Sequence, residues 1–454
     1  MSDNTAVAAQ LERSTMRAVT LRLAVLLFFV YILNYLDRTN ISIAKLQMQP
    51  DLGLSEAAFG LGAGLFFVGY VLFEVPSNMI LHRVGARLWI ARIMFTWGLV
   101  SMAMFLVQGE WSFYILRFLL GVAEAGLVPG VVLYLSQWVP ATRRARLIGI
   151  FYLAVPISTV IGAPLSSWLM GFTPWGLTGW QFMFLVEGAP CLVMAFVVLR
   201  FLTDRPSQAT WLTDQQREWL LGELEREETA HDAAGHRPGT LAAAAKDPGV
   251  LGMSAAFFCM IIPIYALAFF LPTIVKQLGT FTTGQIGLLT AVPYLFAALL
   301  MWLLSRNSDR TGERTWHYII TTLVGVVGLV VAALSLSTSP VLALVGFTLG
   351  ATGCLSPLAV FWAQAPYLLR GAAAAGGIAL IAAIGNIAGF VSPYMVALIK
   401  GEGVGLGNSA TAVIAAAVFL ALATLSMFGV GRRIARRDAT PAPSDQPVTQ
   451  GAEG

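Results

Sequence analysis

The chain alternates long apolar runs with short polar joints. Twelve runs of bilayer length fall at residues 20–42, 56–80, 87–107, 112–136, 147–170, 180–202, 249–275, 284–305, 316–336, 340–362, 374–399 and 408–430. Crossing a bilayer takes about 20 apolar residues, and a lone crossing segment must satisfy its backbone internally, so every run is expected to be a helix. Most joints are short, which makes consecutive helices antiparallel neighbours. One joint breaks the rhythm: residues 203–247 are polar and charged, and split the runs six and six. Inside it, residues 212–227 pattern as a short amphipathic helix. Thr213 with Gln216 suits a capping box, and Trp219, Leu220 and Leu224 give a narrow apolar stripe. The expected organisation is an N-terminal segment (1–19), a six-helix bundle (20–202), a linker (203–247), a second bundle (248–430) and a Pro-, Ser- and Gly-rich tail (431–454) expected to be disordered.

Composition agrees with this pattern. The chain is 57% hydrophobic and 11% charged, where a soluble protein carries about 25% charged residues. The expected class is an all-α membrane protein with the bilayer as its main solvent. A net charge of +4 gives no reason to expect nucleic acid as a partner. Cys191, Cys259 and Cys354 lie far apart in apolar segments, which is neither a disulfide framework nor a metal spacing. The first residues carry acids and no cleavage-type site, so the first run itself is expected to direct insertion. His82, His231, His236 and His317 fall in or beside polar joints. No Ser–His–Asp set, metal-ligand spacing or phosphate-binding loop is present, so neither an enzyme nor a cofactor is expected.

The placement of Lys and Arg sets the orientation. One set of joints holds Arg83, Arg87, Arg143, Arg144, Arg146, Arg306, Arg310, Arg314 and Arg370; the opposite set holds Lys45, Lys276 and Lys400. Arg13, Arg17, Arg432, Arg433, Arg436 and Arg437 share the Arg-rich side. Both termini and the linker are therefore expected in the cytoplasm.

Several polar side chains interrupt the apolar runs, and they are costly: a charge at membrane depth costs about 2.5–3.5 kcal/mol even on a mild scale. Asp37 and Arg38 are adjacent in the first run, beside Asn34, Tyr35 and Asn40. The fourth run carries Arg117 and Glu124, seven residues and about 10 Å of rise apart, hence on one helix face. Two acids and two bases on two helices can pair across the first bundle, either as a purely structural cluster or as a working site. Glu74 reads either as a helix-packing acid or as a coupling group. Glu187 reads as structural near the membrane edge, and Arg92 can snorkel. Tyr35 and Tyr70 are candidate cavity aromatics. The second bundle holds almost no charge; Asn386 between Gly385 and Gly389 is its main polar feature, with Tyr265, Tyr294, Trp362 and Gln364 as candidate wall residues.

A weak internal repeat carries the resemblance to a family. HRVGAR (82–87) follows the second run and SDRTGER (308–314) follows the eighth, at equivalent places in the two halves. Asp309-Arg310-Thr311-Gly312-Glu313-Arg314 resembles the G-x-x-x-D-R-x-G-R-R loop signature of the major facilitator superfamily. The first copy departs from it, with His82 where the acid belongs and Asn78 for the first Gly; Ser305 replaces that Gly in the second copy. FEVPSN (73–78), RFLLGVAEAGLVPG (117–130), LTDRPSQATWLTDQQREWL (202–220) and GGIALIAAIGNIAGFVSP (376–393) are similar to the anion:cation symporter branch, whose bacterial permeases carry tartrate, phthalate, hexuronate or galactonate.

The resemblance implies twelve transmembrane helices in two pseudo-symmetric six-helix bundles and a secondary active transporter in a bacterial inner membrane. It implies proton-coupled uptake of a small organic anion such as a dicarboxylate, sugar acid or aromatic acid, by a monomer whose partners are that anion, protons and the lipid. Exchange, export or a non-transporting sensor on the same fold stay open as alternatives. By the same resemblance Asp37 and Glu124 are proton-coupling acids, Arg38 contacts the substrate anion, and Arg117 is the partner of Asp37. Tyr35, Tyr70 and Asn386 join Arg38 around the substrate, while Asp309, Arg310, Gly312 and Arg314 form a cytoplasmic gate motif.

Overall fold

A computed structural model of the chain describes residues 2–233, 245–368, 373–401 and 406–438. Twelve helices in it are long and apolar enough to cross a membrane. They are α1 (Ala9–Leu52), α2 (Glu56–Val84), α3 (Ala86–Leu106), α4 (Glu110–Ser136), α5 (Gly149–Leu169), α6 (Gly179–Phe201), α7 (Pro248–Gln277), α8 (Thr283–Thr311), α9 (Thr315–Ser335), α10 (Pro340–Gln364), α11 (Gly377–Lys400) and α12 (Leu406–Arg433). Each matches one apolar run of the sequence.

The ends follow local chemistry. Gly53 stops α1 in a left-handed conformation (φ 64°), and Ser55 opens α2 by accepting a hydrogen bond from Ala58 N–H at 2.9 Å, the role an N-cap hydroxyl fills best. Pro248 and Pro340 stand in the first turns of α7 and α10, where a missing N–H costs nothing. α1 is longer than its apolar run: the helix continues to Leu52, with a π-helical turn at Thr20–Ala24. Lys45 therefore lies inside a helix rather than in a loop. The last helix also continues, through Asp438, so residues 431–438 are helical and not part of a disordered tail. The rest of that tail, residues 234–244 of the linker, and Arg370 lie outside the described residues.

Within each half the helices pack around one another: α3 on α6, α2 on α4 and α1 on α5 in the first, α9 on α10, α7 on α12 and α9 on α12 in the second. The halves meet along three seams, α2 against α11, α5 against α8, and α1 against α7. Gly60 makes the first seam close. A Cβ there would sit 2.3 Å from that of Ala397, so only hydrogen allows the helices to approach this far.

Two helices break at equivalent places in the two halves. α4 unwinds at Ala125 and Gly126, directly after Glu124; Gly126 has φ 86° and its Cα lies against the Ser77 hydroxyl. α10 breaks at Ser356, before Pro357, and Ser356 Oγ donates to Ala297 C=O at 3.1 Å. Interrupted helices at matching positions are how carriers of this architecture bring backbone ends and polar side chains to mid-membrane.

The linker begins as an ordered cap on the first half. Tyr134 Oη donates to Thr203 C=O at 2.6 Å, and Trp138 and Trp211 stack at 5.6 Å. The expected amphipathic helix forms at Asp214–Ala233. Thr213 and Gln216 exchange side-chain to backbone hydrogen bonds at 3.2 and 3.3 Å, the expected capping box, and Leu220 is buried with Trp219 and Leu224 packed beside it.

Candidate functional site

A cavity of about 450 Å³ opens between the halves, within the usual range for small-molecule sites. The first half supplies Tyr31, Tyr35, Arg38, Tyr70 and Glu74, and the second supplies Tyr265, Trp362 and Asn386. Tyr35, Arg38, Tyr70, Asn386, Tyr265 and Trp362 thus stand where the sequence suggested. Tyr294 and Gln364 do not line it; Gln364 instead donates to Thr315 Oγ1 at 2.7 Å. A second groove, of about 660 Å³, runs between α5 and the end of α8. Its charged residues, Arg306, Asp309 and Arg310, are exposed, so it lacks the buried charge that marks the central cavity.

Arg38 is the only cation among the described residues that line the cavity. It is 7% exposed. Its Nε and Nη2 both engage Glu124 Oε1, and its guanidinium lies over the rings of Tyr70 at 4.9 Å and Phe66 at 5.2 Å. Glu124 is fully buried in the last turn before the break in α4. Its second oxygen, Oε2, is buried without a hydrogen bond. Arg38 therefore stands on the wall of the cavity, with Glu124 behind it and one carboxylate oxygen of that pair unsatisfied.

The expected pairing of Arg117 with Asp37 does not form. Asp37 accepts hydrogen bonds from Trp97 Nε1, Ser101 Oγ and, at 3.0 Å, Asn40 Nδ2. Arg117 points instead at Ala63 C=O, 3.5 Å away, and lies over the Phe66 ring at 5.0 Å, on which Arg38 also rests. No hydrogen bond or ion pair joins it to Asp37. The physical reason is donor supply: α3 offers an indole and a hydroxyl at the same depth, and these fill the carboxylate's lone pairs. Nothing in the apolar pattern of α3 marks Trp97 or Ser101 as partners of an acid.

A second carboxylate joins this network. Asn40 Nδ2 also donates to Glu187 Oε2 at 3.0 Å, and Ser166 Oγ donates to Glu187 Oε1 at 2.6 Å. Glu187 is 3% exposed in the interior of the first half, so its expected place near the membrane edge is corrected. One amide thus bridges two buried carboxylates.

At one end, the seam between halves carries a buried clamp. Glu56 accepts from Lys45 Nζ at 2.7 Å and from Lys400 Nζ at 2.9 Å. Lys45 belongs to α1 and Lys400 to α11, so one carboxylate joins both halves. Lys45 and Lys400 were expected in the loops opposite the Arg-rich joints; the structure buries both, at 1% and 3% exposure. Glu56 was missed because an acid in the first turn of a helix is common, being favoured by the helix dipole.

At the other end, Gly312 ends the α8 helix with φ 70°. Arg314 Nη1 donates to Ala363 C=O on α10, and Glu313 accepts from Trp316 N–H at 2.6 Å and bonds His317 at 2.7 Å. Asp309 and Arg310 are exposed along the α5–α8 groove. The motif therefore fastens α8, α9 and α10 together at this end of the second half.

Comparison with known proteins gives the same architecture. Residues 27–393 match the family model described as Major Facilitator Superfamily. The chain is 47% identical over 395 residues to a protein of Agrobacterium vitis named "Putative tartrate transporter", covering 87% of each chain. It is 40% identical over 390 residues to the quinolone resistance transporter of Acinetobacter baumannii, covering 86% of this chain and 89% of the other. A bacterial homolog of the human lysosomal transporter Spinster, solved in an inward-facing, unoccupied conformation, superposes with a TM-score of 0.72 over 92% of this chain and 98% of its own, at 16% identity. With a family model spanning most of its length and two six-helix bundles, each with one broken helix, around one cavity, this chain belongs to the Major Facilitator Superfamily of membrane transporters.

Proposed function

We propose that this protein is a proton-coupled carrier of a small organic anion, working by alternating access in a bacterial inner membrane, as a monomer with both termini in the cytoplasm. The observation that carries this reading is that Arg38, on the cavity wall, is paired with the buried Glu124 behind it. Arg38 offers a planar fork suited to a carboxylate, but Glu124 occupies it. An incoming anion must displace Glu124. An unpaired carboxylate away from water favours its neutral form, so Glu124 takes a proton as substrate takes Arg38. Arg38 then compensates the substrate carboxylate, Glu124 is neutral, and the halves can rock. Asp37, held off the cavity by Trp97 and Ser101, is the second proton-binding group, and Arg117 sets the field around it.

Tyr35, Tyr70 and Asn386 contact the substrate from both halves. The Arg-rich joints support a cytoplasmic placement of the end that carries Asp309, Arg310, Gly312 and Arg314. The Glu56 clamp then closes the opposite, external end. Similarity to a tartrate transporter and the lone guanidinium both favour a carboxylate. Similarity to a quinolone resistance transporter favours, as the second reading, an exporter built on the same site.

The test is a thermal-shift screen of purified protein against carboxylates, since a ligand that binds the folded state raises its stability. Wild type should be stabilised by at least one of them, Arg38→Ala by none, and Arg38→Lys should respond weakly. Equal stabilisation of wild type and Arg38→Ala would refute the assignment.

A further inference from the structure

The cavity holds an acid that the coupling scheme does not use. Glu74 lies on α2, four residues and about 6 Å of rise from Tyr70, on whose ring Arg38 rests. Both Arg38 and Glu74 line the same cavity, and no ion pair joins them. Asn386 Nδ2 donates to Glu74 Oε2 at 2.9 Å, from the other half of the protein. The other oxygen, Oε1, meets no hydrogen-bond donor among the described residues. An amide donating to one oxygen, with the second oxygen open to the cavity, is an acceptor site aimed at a ligand.

The charge balance sharpens this. Among the described residues, one guanidinium at the cavity stands against two carboxylates, Glu124 behind it and Glu74 on the same cavity's wall. When Glu124 is protonated, Arg38 compensates one ligand carboxylate and no more. A second anionic group on the ligand would meet Glu74, at short range and with little water between them, and like charges there repel. A hydroxyl or ammonium in the same place would donate to Oε1.

We propose that Glu74 is the specificity-determining residue of the cavity: it accepts a hydrogen bond from a donor on the ligand opposite the carboxylate that Arg38 holds. The substrate class is then a carboxylate with a distal hydroxyl or ammonium, and a second ionised carboxylate at that position is selected against. Asn386 is the positioning residue that fixes Glu74, so that recognition at the far end of the ligand depends on contact between the halves. The inference rests on the anion-carrier reading above.

The test uses four five-carbon acids that differ only at the far end: 5-hydroxypentanoate, 5-aminopentanoate, glutarate and pentanoate. Their affinities are measured on full-length wild type, Glu74→Gln and Arg38→Ala, with melting temperature recorded for each. Wild type should prefer at least one donor-bearing acid over pentanoate and glutarate by about tenfold or more, the scale of one buried hydrogen bond made or lost. If the donor is a hydroxyl, the hydroxy acid leads; if an ammonium, the amino acid leads. Glu74→Gln should keep its melting temperature, lose most of that preference, and bind glutarate better than wild type does. Failure of both donor-bearing acids to outbind pentanoate, or an unchanged rank order in Glu74→Gln, would overturn the assignment. Arg38→Ala separates the two layers. If it loses binding while Glu74→Gln keeps the wild-type order, only the Glu74 role fails. If it binds all four acids as wild type does, the anion-carrier reading itself fails.

Discussion

Replacing Glu56 by Gln should open the clamped end of the protein. Glu56 holds two buried ammonium groups at 2.7 and 2.9 Å, one from each half. Removing one partner of a buried pair costs about 3–5 kcal/mol. The lower figure applies here, because the Glu56 side chain keeps 12% of its surface exposed, a glutamine still accepts one hydrogen bond, and Lys45 retains the rings of Phe59 and Phe270, each at 4.5 Å. Lys400 has no such ring contact among the described residues and loses its carboxylate outright. The cost falls only on the state closed at this end, since opening lets both lysines hydrate. About 3 kcal/mol is on the order of a hundredfold in the balance between closed and open.

The assay is a distance measurement between labels at Ala57 on α2 and Leu398 on α11, after the three native cysteines are replaced. Leu398 is exposed and tolerates a label. Wild type should give mainly the short distance and Glu56→Gln mainly a longer one. Changing Lys45, Glu56 and Lys400 together to Met, Leu and Met should restore the short distance, because apolar groups of similar size replace a buried ionic set at little cost. An unchanged distribution in Glu56→Gln would refute the reasoning.

Asp37→Asn should lower the melting temperature, by the equivalent of about 1–3 kcal/mol. Trp97, Ser101 and Asn40 all donate to Asp37, and an amide brings its own donors against them; wild-type melting would show that the carboxylate is not held by these bonds. Asn386→Ala should weaken binding of a donor-bearing carboxylate several-fold, through the freed Glu74, with near-normal melting, because the Asn386 side chain lines the cavity and gives up a single hydrogen bond between the halves. A large fall in melting with intact affinity would make it a bridge between helices instead.

The hydrophobic pattern reveals the fold almost in full, because the bilayer imposes one rule on every crossing segment: an apolar exterior and an internally bonded backbone. Two boundaries escaped it, the ends of α1 and of α12. α1 runs past its apolar stretch to Leu52 because Lys45 and Glu56 neutralise one another inside the protein, and the pattern cannot tell a paired lysine from a loop lysine. The residues at and behind the cavity wall were legible as polar side chains placed where they are expensive: Arg38 beside Asp37, Glu124 two turns from Arg117, and Asn386 in an otherwise apolar run. Who pairs with whom was not. Helix spacing puts Arg117 and Glu124 on one face, but the choice between Asp37 and Arg38 as their partners depends on how deep α3 sets Trp97 and Ser101, which is a tertiary fact. Glu187 escaped for the same reason; its partners Asn40 and Ser166 lie 147 and 21 residues away. The resemblance in HRVGAR and SDRTGER, after the second and eighth helices, pointed to two repeated halves, and the breaks at Gly126 and Ser356, in the fourth and tenth helices, are a second feature at equivalent places in those halves.

The central claim is that an anion at Arg38 and a proton at Glu124 bind together. Proton uptake on ligand binding measures this directly, in weakly buffered solution with a pH dye and purified protein, using a carboxylate found by the thermal-shift screen. Wild type should take up about one proton for each anion bound, and Glu124→Gln should bind the anion while taking up markedly fewer, because linkage requires a group whose proton affinity changes on binding. Anion binding with no proton uptake in wild type, or the same uptake in Glu124→Gln, would contradict the account.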